Sequence, residues 1–252
     1  MKSICIAAAQ TSSIPADISA NVAIHLAFIA AARHAGVDVL VFPELSLTGY
    51  ELPLIGDRVL TPDDALLAPI RALAAEAAMT IVVGAPVAGS APGLPSIGAI
   101  HFGPDGVAAT YCKQYLHAGE ERYAQAGPPG AHCRTWRAYA AALAICADTG
   151  QRKHAAAAAG AGAELYLASV LVSEGGYAAD AAILQGYARE FKMGVLMANH
   201  GAPSGGYVCA GRSAFWTPDG ELLVAAEGAG SYLVIADGSE GQWKGRVLAV
   251  GV

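Results

Sequence analysis

The chain has 252 residues, 54% of them hydrophobic and 14% charged, with a net charge of −6. A length of this order suits one large domain or two small ones, and the apolar content supplies a sizeable core. The negative balance without clustered Lys and Arg excludes a nucleic-acid footprint, and no apolar run approaches the roughly 18 residues of a membrane span.

The first residues, Met1 to Ile6, lack a long apolar stretch followed by a cleavage site, so no secretory leader is expected. The cysteines are Cys5, Cys112, Cys133, Cys146 and Cys209, an odd number at wide spacings with no C-x-x-C. Reduced thiols and a cytoplasmic location are the expectation. The seven histidines are scattered without H-E-x-x-H, so no metal site is expected.

In chain order, residues 3–10 form a short apolar strand. Residues 17–35 carry Ile18, Val22, Leu26 and Ile29 at helical spacing, and Gly36 stops the helix. Residues 37–42 are a second buried strand that ends at Pro43, since proline cannot donate to a ladder. Glu44 follows, a carboxylate at the end of an apolar strand. Residues 63–79 read as a helix, 80–86 as a strand, and 96–102 with 107–111 as a hairpin about Gly-Pro-Asp-Gly. Lys113 ends that hairpin among aromatic and apolar residues. Residues 118–130 are a loop holding Glu120 and Glu121, and residues 132–139 and 140–145 are a strand pair.

That pair leads into Ala142-Leu143-Ala144-Ile145-Cys146-Ala147-Asp148-Thr149, a continuous apolar run that stops at a thiol. A helix is predicted over 151–162, so Cys146 is expected near a helix N-terminus, where the dipole favours a thiolate. Cys146 is accordingly expected to be the most reactive of the five thiols, with Cys133 and Cys209 as its competitors, while a glutamate base beside it would raise its pKa and make that reactivity depend on a bound acyl group more than on a resting thiolate. The alternation then repeats, with strand 164–172, helix 179–191 and strand 194–199. Strands 210–217 and 221–226 flank Pro-Asp-Gly, and 231–236 is the last clear strand. With no linker or low-complexity spacer, residues 1–252 are expected to be one domain. Alternating strands and helices interrupted by hairpins predict an α/β fold with mixed sheets covered by helices. No dinucleotide fingerprint, P-loop or G-x-S-x-G elbow is present.

Taken singly, a loop acid, a strand-end lysine and a buried cysteine each have an ordinary structural explanation. Together they supply what acyl transfer needs: a base, positive charge for an oxyanion, and a nucleophile. Strand ends in one sheet face the same edge, so Glu44, Lys113 and Cys146 are expected to converge.

On these residues the chain resembles the nitrilase superfamily of carbon–nitrogen hydrolases. The resemblance is carried by Val39-Leu40-Val41-Phe42-Pro43-Glu44-Leu45 with Gly49-Tyr50, by Tyr111-Cys112-Lys113 with Leu116, and by Ile145-Cys146-Ala147-Asp148. Later support comes from Ala198-Asn199, Gly211-Arg212-Ser213-Ala214-Phe215 and Pro218-Asp219-Gly220. It implies a four-layer α-β-β-α sandwich that self-associates as a homodimer or larger homo-oligomer. It implies a Glu44–Lys113–Cys146 triad and a further glutamate, matched by Glu120 or by its neighbour Glu121. Tyr50, Glu121, Ala147, Ser169 and Asn199 are the expected substrate-binding residues.

The implied activity is hydrolysis of a small amide or carbamoyl compound, with no cofactor and no nucleic-acid or membrane partner. Glu44 takes the thiol proton, Cys146 attacks the carbonyl, and Lys113 with the Ala147 N–H holds the oxyanion. A thioester is then hydrolysed by water that Glu44 activates. Ala-Asp after Cys146, where true nitrilases have Trp-Glu, favours amides over nitriles. The alternatives are nitrile hydrolysis, acyl transfer to an amine, or a catalytically silent binding protein on the same fold.

Overall fold

The computed structural model describes residues 2–130 and 132–251. The first half runs β1 (Ser3–Gln10), α1 (Ile18–His34), β2 (Val39–Val41), α2 (Ala68–Glu76) and β3 (Thr80–Val87). These three strands pair in parallel, and parallel neighbours require crossovers, here made by helices. β4 (Ser96–Phe102) and β5 (Ala108–Cys112) extend the sheet antiparallel.

The second half repeats the plan. β6 (Cys133–Trp136) and β7 (Tyr139–Ile145) form a hairpin, followed by α3 (Arg152–Gly160), β8 (Leu165–Val170), α4 (Tyr177–Phe191) and β9 (Gly194–Asn199). β7, β8 and β9 are parallel, and β10 (Ala214–Trp216) and β11 (Leu222–Ala225) follow antiparallel. β12 (Tyr232–Ser239) returns to pair with β1, and β13 (Gln242–Ala249) lies outside it. The orders are β13-β12-β1-β2-β3-β4-β5 in the seven-stranded sheet and β11-β10-β9-β8-β7-β6 in the six-stranded one.

Strand alternation assigns the layers. In β1, Ile4, Ile6 and Ala8 point at the other sheet and meet Leu143, Leu167 and Leu196 in a shared core. Cys5, Ala7 and Ala9 point the other way, against Phe28 and Ile29 of α1. Ala142 and Ala144 of β7 face Ala155 and Ala158 of α3, small residues that let helix and sheet approach closely. The result is the α-β-β-α sandwich with mixed sheets. Fully buried Phe28 and Phe42 each contribute about 1.5–3 kcal/mol by leaving water.

Local chemistry moves several predicted boundaries. The Asp17 side chain accepts from the Ala20 N–H at 3.0 Å, so α1 starts at Ile18. The helix predicted over 63–79 is shorter. Asp64 caps a short 3-10 turn, and Pro69 sits in the first turn of α2, where a missing N–H costs nothing. The strand predicted over 210–217 keeps only Ala214–Trp216. Its first part is a loop held from outside, with Asn199 Nδ2 donating to Gly211 O at 2.8 Å and the Ser213 N–H donating to Gln10 Oε1 at 2.9 Å. β13 was not expected. Its Lys, Gly and Arg break the apolar pattern because it is an edge strand, mostly exposed. Among the described residues no helix is long and apolar enough to cross a membrane.

Candidate active site

Three strand ends meet at one edge of the sandwich. Beyond β2 the chain turns sharply at Pro43-Glu44-Leu45, with Leu45 at φ 50°. The turn lies on β3 at Gly84, where a Cβ would stand 2.2 Å from Pro43 O, so only glycine lets it pack there. Ser169 Oγ donates to Phe42 O at 2.8 Å, and His200 Nε2 lies 2.7 Å from Glu44 O. Glu44 is thereby held, fully buried, between the two sheets.

Lys113 directly follows β5, its N–H donating to Ile97 O at 2.9 Å. Its side chain is fully buried, with Nζ 2.6 Å from Glu44 Oε1 and 2.7 Å from Glu120 Oε1. Glu120 also accepts from Tyr50 OH at 2.5 Å and from the His117 N–H at 2.7 Å. One ammonium thus lies between two buried carboxylates. Glu44 Oε2 is buried without a hydrogen-bond partner, a free acceptor on the carboxylate.

Cys146 opens a short 3-10 turn, Cys146–Asp148, directly after β7. Its φ of 41° is in the left-handed region, which costs a non-glycine residue of order 1–3 kcal/mol and needs support from its surroundings. Asp148 supplies it. Its carboxylate accepts from Ile145 N–H at 2.9 Å and Tyr111 OH at 2.7 Å, and from Gln114 N–H at 3.0 Å and Tyr115 N–H at 2.9 Å. One buried side chain therefore ties the thiol-bearing turn to the segment that carries Lys113. Asp148 stood in the sequence next to Cys146, but nothing local marked it as the clamp, because its partners lie on a distant strand.

Burial pushes the Glu44 carboxyl up to about 7, against the downward pull of Lys113. Burial opposes the Lys113 charge, but Glu44, Cys146 and Glu120 together raise its pKa above the usual lysine value. The Cys146 thiol is raised by burial and by the Glu44 carboxylate, with Lys113 pulling it down. Of the two opposed influences expected on the thiol, the carboxylate outweighs the dipole: α3 begins only at Arg152, beyond the intervening turn. Burial thus favours the protonated thiol, whose Sγ lies 3.6 Å from Leu171 O.

Cys146 borders a cavity of about 450 Å3, with Tyr50, His117, Ala147, Asp180 and Tyr207 also on its wall. Among the described residues the Ala147 N–H donates to no protein acceptor. Three other expected substrate-binding residues do not reach this cavity. Glu121 is exposed, its carboxylate accepting from Gly119 N–H at 2.6 Å; Glu120 is the glutamate against Lys113. Ser169 is buried and committed to Phe42 O. Asn199 is buried and spends its amide on Val172 and Gly211. Both are braces beneath the site. Sequence reasoning missed His117, Asp180 and Tyr207, which loops and the start of α4 bring in.

A family model described as carbon-nitrogen hydrolase matches residues 5–243. Among solved structures, the chain is similar to a cysteine-to-alanine mutant of the amidase from Nesterenkonia sp. AN1 in complex with butyramide. That likeness has 26% identity, covers 93% of this chain and 90% of that one, and has a TM-score of 0.85. It is also similar to a glutamate-to-glutamine mutant of that amidase, with covalent addition of the acetamide moiety of fluoroacetamide at the active site cysteine. Here the identity is 26%, over 93% of this chain and 89% of that one, with a TM-score of 0.84.

Proposed function

Given that this chain belongs to the carbon–nitrogen hydrolase family, we propose that it hydrolyses small aliphatic amides through a thioester on Cys146. The observation that carries the reading is the single ammonium of Lys113 between two buried carboxylates, beside a thiol on a strained turn. Cysteine adducts in the Nesterenkonia amidase support the same nucleophile type.

The steps follow from the groups present. A thiol with a raised pKa is a weak nucleophile at neutral pH, so it needs a base in contact. Glu44 is that base, with Oε2 free to take the proton. As sulfur bonds to the amide carbon, negative charge grows on the carbonyl oxygen. Lys113 and the Ala147 N–H stabilise it, as preorganised donors in a buried site do. Glu44 returns its proton to the departing nitrogen, ammonia leaves, and a thioester remains. Water then attacks, giving its proton to Glu44, and the carboxylic acid is released with the thiol restored. Glu120 positions Lys113 and is itself held by Tyr50.

The test is ammonia release over a panel of short amides, with intact-protein mass spectrometry of rapidly quenched reactions. The expected result is turnover with an acyl adduct on Cys146. Turnover with no adduct at that residue, or no release from any amide, would overturn the reading.

Glu44 must be ionised to act as a base. Its pKa lies above the ordinary carboxylate value, so kcat/KM is expected to fall as pH drops through about 7. A pH–rate profile of the free enzyme checks this. An acid limb near the ordinary carboxylate value of about 4.3 would show that burial does not raise the pKa of the base.

A further inference from the structure

Of the described residues lining the cavity above Cys146, none is Lys or Arg, Asp180 is the one carboxylate, and His117 is the one imidazole. Asp180 lies in the first turn of α4. Among the described residues it has no ion-pair partner within 4.0 Å. Its carboxylate also takes part in none of the side-chain hydrogen bonds of the described residues, whereas Asp17 and Asp64 each cap their own helical segment. A first-turn acid is favoured by the helix dipole alone. That accounts for its residue type but leaves its oxygens free inside the cavity. Beneath lie Glu44 and Glu120 with only Lys113 to offset them, so the floor is net negative once both glutamates are ionised.

A cavity with low-dielectric walls that holds a carboxylate and no Lys or Arg focuses its field on whatever enters. Resting on the amide-hydrolase reading above, we propose that Asp180 is a specificity-determining residue selecting amides whose acyl chain ends in a cationic amino group. The scissile carbonyl sits at Cys146 and the ammonium meets the Asp180 carboxylate at the far wall. Tyr207, half-exposed on the same wall with its ring 6.0 Å from that of Tyr50, offers an aromatic face beside the path of the chain. The same charges disfavour an acyl chain ending in a carboxylate, and they hasten departure of the carboxylate product.

Three amides of matched length decide it: 5-aminopentanamide, hexanamide and glutaramate, assayed by ammonia release at neutral pH and low salt. The expected order of kcat/KM is cationic over neutral by about tenfold or more, with the anionic amide slowest. Added salt should narrow the cationic-to-neutral ratio, since a half-exposed charge is screened. Asp180→Asn should bring that ratio close to one. Equal or reversed preference in the native enzyme, or a ratio unchanged in Asp180→Asn, would overturn the inference while leaving amide hydrolysis standing. No ammonia from any of the three would overturn the hydrolase reading and this one with it.

Discussion

Cys146→Ala is expected to abolish turnover, and Glu44→Gln to lower kcat/KM by about 10²–10⁴-fold. The reason is that the two groups act in one step. Burial and the neighbouring carboxylate keep Cys146 protonated, so without a base the nucleophile is hardly populated. Without the thiol, the base has only water to activate against an unactivated amide. The double variant Glu44→Gln/Cys146→Ala should therefore be no worse than Cys146→Ala alone. Steady-state kinetics on the best amide of the panel, with folding checked by circular dichroism, reads this directly. Near-normal turnover in Glu44→Gln would assign the base elsewhere, and additive losses would break the claim that the residues form one unit.

Lys113→Met is expected to destabilise the fold by about 3–5 kcal/mol as well as remove activity. The methionine fills similar volume, so the loss is electrostatic: two buried carboxylates would face each other with no cation between them. Lys113 is also what draws Glu44 downward, so the variant's Glu44 pKa rises further. A carboxyl whose folded pKa exceeds its unfolded value favours the folded state below the unfolded pKa and loses that contribution as pH rises through the folded one. The deficit should thus be largest at alkaline pH and shrink as pH falls toward the unfolded value of about 4.3. Adding Glu120→Gln should recover part of the stability, because it removes one of the facing charges. Urea unfolding of the single and double variants over a pH series measures both effects. A Lys113→Met protein as stable as the native one at alkaline pH would show that the ammonium does not hold the carboxylates together.

The sequence by itself determined the alternation and the order of the chemistry. Apolar strands, helical spacing and Gly-Pro-Asp-Gly turns are local signals, and they placed most strands and helices within a few residues. Glu44, Lys113 and Cys146 were legible for the same reason: each stands at or just beyond the end of a strand that shows in the chain. β13 was not legible. An edge strand buries little, so its Lys244, Gly245 and Arg246 carry no apolar pattern, and only pairing with β12 makes it a strand.

The tertiary structure alone decided which glutamate meets Lys113, and where the neighbouring side chains turn. Glu120 and Glu121 are adjacent and chemically alike, but a left-handed Gly119 and the turn after it send one inward to Lys113 and leave the other in water. Ser169 and Asn199 looked equally suited to meet substrate, yet distant backbone groups claim their hydrogen bonds. Asp148 stood in the motif around Cys146 with no sign of its partners, and Asp180 carried no local mark. The first is a clamp because β5 and β7 end side by side across the sandwich, and the second lines the cavity because α4 starts at its rim. The balance at the thiol likewise needed the structure. The sequence offered two opposed influences, a helix dipole that lowers the pKa and a glutamate base that raises it; burial and the Glu44 charge raise it, and both depend on how the sheets close over Cys146.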